Sequence, residues 1–96
     1  MVEISETPAY AACFAALRER TARARIHIRI RRLSLGNSGD IRPVGDGVSE
    51  LRIHYGPGYR IYLTKQGDAV VILLVGGDKS SQDKDIRLAK DLARNL

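Results

Sequence analysis

Between residues 48 and 64 the chain alternates polar and apolar side chains around a Gly56-Pro57-Gly58 turn. Such alternation makes a β-hairpin with two different faces. Ser49, Leu51, Ile53 and Tyr55 fall on one face, and Val48, Glu50, Arg52 and His54 on the other. With Gly56-Pro57-Gly58 as a three-residue loop, Tyr55 faces Tyr59. His54 then lies opposite Arg60, Arg52 opposite Tyr62, and Glu50 opposite Thr64. One rigid surface, turned away from the apolar set, gathers Glu50, Arg52, His54, Arg60 and Tyr62. Two guanidiniums, an imidazole, a phenol and a carboxylate suit a phosphodiester substrate. Metal-free RNA cleavage needs a base for the 2′-OH proton, cations for the crowded phosphate and an acid for the leaving 5′-oxygen. His54 or Glu50 is the candidate base and Arg52 and Arg60 the cations. Tyr62 is an acid or a platform on which a nucleobase stacks. The same residues also fit the ordinary polar face of a half-exposed antiparallel sheet.

Few other residues compete for a chemical role. Lys79 follows Gly76-Gly77-Asp78 at the end of an apolar run, where strand-end loops often carry function. His27 reads as structural or solvated. No Ser/His/Asp arrangement, Cys/His arrangement or phosphate-binding loop is visible. The single cysteine, Cys13, excludes an intrachain disulfide and a Cys-based metal site. It reads as a small core residue. With two histidines, a His-rich metal site is not expected either. No metal and no cofactor are therefore expected. The longest apolar run, Ala69 to Val75, has the length of a buried strand and not of a membrane span. The beginning of the chain shows no leader pattern, so the expected location is the cytoplasm.

The hairpin must be held by the rest of a chain of 96 residues, enough for one domain over residues 1–96. Val2 to Ile4 is a β-prone opening. Thr7-Pro8 reads as a helix cap followed by proline in the first turn. Ala9 to Arg20 follows as a helix with Ala12, Cys13, Ala16 and Leu17 as its apolar stripe. Thr21 is placed to cap a second helix. Residues 22–35 alternate like a strand but also fit a helix with two apolar stripes, Ala22/Ile26/Ile30/Leu33 and Ala24/Ile28/Leu35. The helix is preferred, because alanine and arginine favour it and no glycine or proline interrupts the run. Residues 36–47 read as loop, with glycine at four positions. The hairpin follows, then Gln66-Gly67-Asp68 as a turn and Ala69 to Val75 as a central strand apolar on both faces. Ser80 to Gln82 leads into a last helix with Ile86, Leu88, Ala89, Leu92 and Ala93 as its apolar positions. The expected order is β-α-α-β-β-β-α, an α+β domain with a helical layer on a small sheet.

The formal charge is +5, from 16 Lys and Arg against 11 Asp and Glu. Its source is local. Residues 17–35 hold seven arginines and one glutamate, and the remainder is close to neutral. Such a segment is a solvated helix face or a surface for a polyanion, and arginine suits bidentate contact with phosphate.

Several stretches resemble the RelE/ParE toxin superfamily, and within it the HigB-like addiction module killer proteins. They are Arg23-Ala24-Arg25-Ile26, Gly36-Asn37-Ser38-Gly39-Asp40, Pro43 through Arg52, Tyr55 through Tyr62, and Gly76 through Gln82. The resemblance covers nearly the whole chain. It implies the small RelE-like α+β domain, with a helical hairpin packed on a mainly antiparallel sheet. It also implies a type II toxin–antitoxin toxin, most simply a metal-independent, ribosome-dependent mRNA endonuclease that inhibits translation. The implied partners are the ribosome, mRNA and a cognate antitoxin with a helix-turn-helix domain. Operator DNA is reached only through the antitoxin complex, and no membrane is involved. Arg60 matches the family's strand arginine at the scissile phosphate, and Arg52 a basic position on the preceding strand. Lys79 stands for an arginine after the last strand. Glu50 stands where RelE proper carries a lysine, and no tyrosine follows Tyr62. Arg23, Arg25, Arg29, Arg32 and Lys79 are the expected RNA contacts. ParE-like members instead inhibit DNA gyrase without a nuclease site, which is the alternative activity. A module whose toxin has lost its activity is a third outcome.

Overall fold

The computed structural model describes residues 1–96. The chain runs β1 (Glu3–Glu6), α1 (Pro8–Ala16), α2 (Arg20–Ser34), β2 (Ile41–Gly45), β3 (Val48–Ile53), β4 (Tyr59–Gln66) and β5 (Val70–Asp78). A 3-10 turn (Lys79–Ser81) then leads into α3 (Gln82–Arg94). The fold is α+β, with one five-stranded mixed sheet in the order β1-β5-β4-β3-β2. β1 runs parallel to β5 and every other neighbouring pair is antiparallel. No helix is long and apolar enough to cross a membrane.

Thr7 starts α1 as its sequence context requires. Its hydroxyl accepts from the Tyr10 N–H at 3.0 Å and donates to the Leu74 carbonyl at 2.5 Å. Leu74 is the extra residue of a bulge, because Tyr62 pairs with Val75 while Leu63 pairs with Leu73. One side chain thus caps a helix and satisfies a carbonyl displaced from the ladder. The stripe of α1 differs from the expected one. Tyr10 is buried and Phe14 and Leu17 pack beside it, whereas Cys13 is exposed. In a helix that is nearly all apolar, periodicity gives no direction, and ring size decides which face turns inward.

Residues 20–34 are helical, with Glu19 as the cap in place of Thr21. The Glu19 carboxylate accepts from the Thr21 and Ala22 N–H groups, each at 3.2 Å. Only one of the two stripes is buried, through Ala22, Ile26 and Leu33. Ile28, on the second, is 48% exposed. β2 was expected to be loop. It is an edge strand that tolerates Pro43, with a register shift between Pro43 and Gly45. It joins β3 through Asp46-Gly47, both at positive φ (56° and 75°), the geometry of a two-residue hairpin turn.

Both faces of the sheet are covered. One core holds Tyr10, Ile26 and Leu33 from the first two helices against Leu51, Ile53, Ile61, Leu63, Val71 and Leu73. On the opposite face Ala89 of α3 packs on Val48, Tyr62, Ile72, Leu74 and Val75. Leu88, counted in the expected stripe of α3, lies outside it and is exposed. The approach of α3 to β5 depends on Gly77. A Cβ there would fall 1.8 Å from Asp85 Oδ2, a buried carboxylate that accepts from the Ser81 hydroxyl at 2.5 Å.

Candidate functional site

The β3–β4 hairpin has a different register from the one expected, with the same parity. Glu50 pairs with Tyr62, Arg52 with Arg60 and Ile53 with Tyr59. The connection is longer than Gly56-Pro57-Gly58 and includes His54 and Tyr55. It is closed by Tyr55 N–H to the Ile53 carbonyl at 2.9 Å and Gly58 N–H to the Tyr55 carbonyl at 3.1 Å. A slip of two residues returns every side chain to the same face. Glu50, Arg52, Arg60 and Tyr62 therefore share a face as expected, and His54 leaves the strand for the loop. That face is not open. It lies against α3, with Glu50 at 1% exposure and Tyr62 at 0%.

Under α3, Glu50 is a hub. Its Oε1 accepts from Arg52 Nε at 2.9 Å, and its Oε2 from the Tyr62 hydroxyl at 3.0 Å and Gln82 Nε2 at 2.8 Å. Arg60 Nε lies 3.8 Å from Oε1. Burial raises the Glu50 carboxyl, but the hydrogen bonds from Arg52, Gln82 and Tyr62 outweigh it and hold it below the ordinary value. Burial pushes the Tyr62 phenol up, and its bond to Glu50 pushes it further. A low carboxyl is a poor base, a raised phenol is a poor acid, and both are sealed from solvent. Gln82, which sequence reasoning passed over, joins α3 to this hub. No local pattern marks it, since its partner is 32 residues away.

Arg60 continues past the hub to the loop. Its side chain is 7% exposed, and Nη1 donates to the Gly58 and Tyr59 carbonyls at 3.3 Å each. Its Nε is buried without a hydrogen-bond partner. Arg60, Lys79 and His54 line a notch of about 340 Å³ together with Tyr55, Gly56, Pro57 and Gly58. Lys79 is placed by Asp78, whose Oδ1 accepts from the Ser80 N–H at 2.8 Å and the Ser80 hydroxyl at 2.5 Å. Those bonds hold the Asp78 carboxyl below the ordinary range. Gly58, at φ 79°, keeps the backbone low between the cations. A Cβ there would sit 3.5 Å from Lys79 Cβ and 3.6 Å from Arg60 Nη1. Two cations and an imidazole around an open notch suit an anionic group with a transferable proton beside it.

The arginines of α2 divide. Arg23 donates to the Phe14 and Leu17 carbonyls at 2.7 and 2.9 Å and lies over the Phe14 ring, capping the end of α1. Arg29 donates to the Arg52, Ser38 and Asp40 carbonyls. Both guanidiniums are thus occupied by the fold. Arg25 stacks 4.7 Å above Tyr55, whose hydroxyl donates to Glu19 at 3.1 Å. Arg25, Arg29 and Arg32 line a second depression of about 570 Å³ that also includes Ile28 and His54. A third, about 400 Å³, lies at the start of α3 around Lys79, Lys84 and Arg87. His54 borders the first two depressions and Lys79 the first and third, so the three adjoin along one side of the molecule. No three His, Cys, Asp or Glu side chains converge to hold a metal ion.

Asp40 is the other residue that sequence reasoning missed. Its Oδ2 lies 2.5 Å from His54 Nε2. The bond to His54 holds the Asp40 carboxyl below its usual range. The two are 14 positions apart in sequence, with β2, its turn and β3 between them, so no spacing rule pairs them.

No protein-family model matches the chain. It is 50% identical over 95 residues to an "uncharacterized protein" of Haemophilus influenzae, an alignment that covers 99% of this chain and 96% of the relative. At that identity over almost the full length of both, the protein belongs to the same family as this Haemophilus influenzae protein.

Proposed function

We propose that the protein is the toxin of a type II toxin–antitoxin pair, with a RelE-like fold, and that it cleaves mRNA on the ribosome. The observation that carries this reading is the convergence of Arg60, Lys79 and His54 on one open notch. In this reading the scissile phosphate sits in the notch, where Arg60 and Lys79 offset the charge that grows on its oxygens. His54 takes the 2′-OH proton. The likeness of the hairpin and of Gly76 through Gln82 to RelE-like toxins supports the same placement. The burial of Glu50 and Tyr62 narrows the chemistry to the loop end of the hairpin, with Arg52 acting on Glu50 rather than on substrate. A cognate antitoxin with a helix-turn-helix domain neutralises the toxin and carries the complex to operator DNA.

The test is a reconstituted translation reaction with purified protein, ribosomes and a defined mRNA, followed by mapping of 5′ ends. Discrete cuts that need translating ribosomes and leave 2′,3′-cyclic phosphate are expected. Arg60→Ala, folded by circular dichroism, is expected to lose on the order of 10²–10³ in rate. Intact mRNA in the presence of folded wild-type protein overturns the reading. Inhibition of gyrase in a parallel supercoiling assay then assigns the gyrase alternative.

A further inference from the structure

His54 is 70% exposed in its side chain, and nothing in the core needs it. An exposed imidazole is ordinarily free to rotate, yet this one lies 2.5 Å from a carboxylate oxygen. The carboxylate is itself held. Asp40 Oδ1 lies 3.9 Å from Arg42 Nε, which leaves Oδ2 for His54. The Asp40 backbone is pinned twice, because its carbonyl accepts from the Arg52 N–H at 3.0 Å and from Arg29 Nη2 at 3.2 Å. The preceding Gly39, at φ 60°, lies so close to Arg29 that a Cβ would meet Nη2 at 2.9 Å. Arg29 also donates to the Ser38 and Arg52 carbonyls. One buried-side arginine of α2 therefore locks the loop that carries Asp40 onto the strand that leads to His54.

We infer that Asp40 is a positioning residue for His54, and that the Arg29-anchored loop exists to present it. The inference rests on the nuclease reading above. The Asp40 carboxylate accepts a hydrogen bond from Nε2–H, which leaves Nδ1 as the nitrogen that takes a proton. When Nδ1 takes the 2′-OH proton, the 2′-oxygen attacks phosphorus and the bond from phosphorus to the 5′-oxygen breaks. The 5′-oxygen leaves as the alcohol with a proton from water, and the imidazolium returns its own proton to solvent. The neighbouring carboxylate stabilises the imidazolium while it lasts. The role differs from that of Glu50, which is paired with cations and sealed under α3.

Two readouts on the full chain test this. The first is the order of the His54 ring, from ¹³C relaxation, with His27 as the internal reference. The ring is expected to be ordered in the wild type, mobile in Asp40→Ala and ordered again in Asp40→Asn, which keeps an acceptor. The second is single-turnover mRNA cleavage on ribosomes. Asp40→Ala is expected to be slower on the order of 10- to 100-fold, with ribosome affinity unchanged, and His54→Ala by about 100-fold or more. The double variant is expected to be no slower than His54→Ala, and Asp40→Asn to recover part of the rate. Equal cleavage by wild type and Asp40→Ala, or a loss that adds in full to that of His54→Ala, overturns the inference and leaves the nuclease reading standing. A wild type that leaves mRNA intact overturns both, and an unordered His54 ring in the wild type overturns the positioning alone.

Discussion

Two polar clusters share the β3–β4 hairpin, and Arg60 belongs to both. At the strand centre, Glu50 gathers Arg52, Tyr62 and Gln82 beneath α3 through three hydrogen bonds, and Arg60 Nε beside them is buried without one. At the loop end, Arg60, Lys79 and His54 surround a notch open to solvent. The two share a guanidinium and differ in the rest: carboxylate, phenol and amide in one, ammonium and imidazole in the other. Their surroundings give them opposite work. The covered cluster pairs its Glu50 carboxylate within the fold and, through Gln82, holds α3 to the sheet. The open one holds Lys79, which no carboxylate pairs, beside an Arg60 whose Nε faces Glu50 and whose Nη1 reaches the loop. This leaves positive charge at the notch for an anion. Arg60 joins them, with Nε toward Glu50 and Nη1 at the loop carbonyls.

The strongest way to break this contrast is Glu50→Ala. It strands a buried guanidinium and a buried phenol, and removing one partner of a buried ion pair costs about 3–5 kcal/mol. Urea denaturation is expected to show that loss. Unchanged stability with abolished mRNA cleavage would move Glu50 into the chemistry and erase the distinction. The same carboxylate predicts a pH dependence. Its folded pKa lies below the ordinary 4.5, so the unfolded chain binds the proton first as pH falls. Its contribution is complete above about pH 4.5 and is lost as pH drops through the folded value. The urea midpoint of the wild type is expected to fall in that window, and that of Glu50→Gln to fall less steeply. Tyr62 carries the opposite sign. Its raised phenol stabilises the fold below the ordinary value of 10.0, and that contribution is lost as pH rises above it.

Gly77→Ala probes how closely the covering helix is seated. The new methyl meets the Asp85 carboxylate, which the Ser81 hydroxyl holds in place. Overpacking of this kind costs about 1–3 kcal/mol. Thermal denaturation is expected to show the loss, and Asp85→Ala in the same chain to recover part of it. No recovery would place the strain elsewhere than between β5 and α3.

How much of this was readable beforehand follows from what each signal measures. Thr7-Pro8 announced α1, because capping is a local interaction. The hairpin parity was legible, since alternation says which residues share a face. It does not say which face is covered. The polar set looked like an open surface, and only the docking of α3 through Gln82 and Ala89 makes it an interior. Residues 36–47 read as loop, so neither the two-residue turn at Asp46-Gly47 nor β2 was legible: Pro43 and the surrounding glycines hid a strand that needs little propensity because β3 supplies its partner. Cys13 and Phe14 could not be told apart by period in a helix with no polar side. The union of Asp40 with His54 comes from a loop anchored by Arg29, a contact that exists only once α2 lies on β3.

A smaller effect separates structure from chemistry at Tyr62. Tyr62→Phe removes one donor to Glu50 Oε2, and Gln82 still donates to that oxygen. A loss of about 0.5–1.5 kcal/mol is expected, the net worth of an ordinary hydrogen bond. Cleavage by the folded variant is expected to match the wild type. A folded Tyr62→Phe protein that binds ribosomes but does not cut would return the phenol to the role of acid.

The finest contrast lies within α2, where four arginines that look alike in sequence are divided by what they touch. Arg23 and Arg29 donate to backbone carbonyls, so their removal is expected to lower the urea midpoint. Arg25, Arg29 and Arg32 all border the depression that adjoins the notch, but only the Arg29 guanidinium is already occupied by backbone carbonyls there. If that depression tracks a single strand, each phosphate contact contributes about 0.7 to the slope of log affinity against log salt. Arg25→Ala and Arg32→Ala are each expected to reduce the measured slope by about that amount for a single-stranded RNA, with stability near the wild type. Arg23→Ala and Arg29→Ala, assayed under conditions where they remain folded, are expected to leave the slope unchanged. Equal slopes across all four variants would mean that the strand does not pass over α2, and would confine RNA contact to the notch and the start of α3.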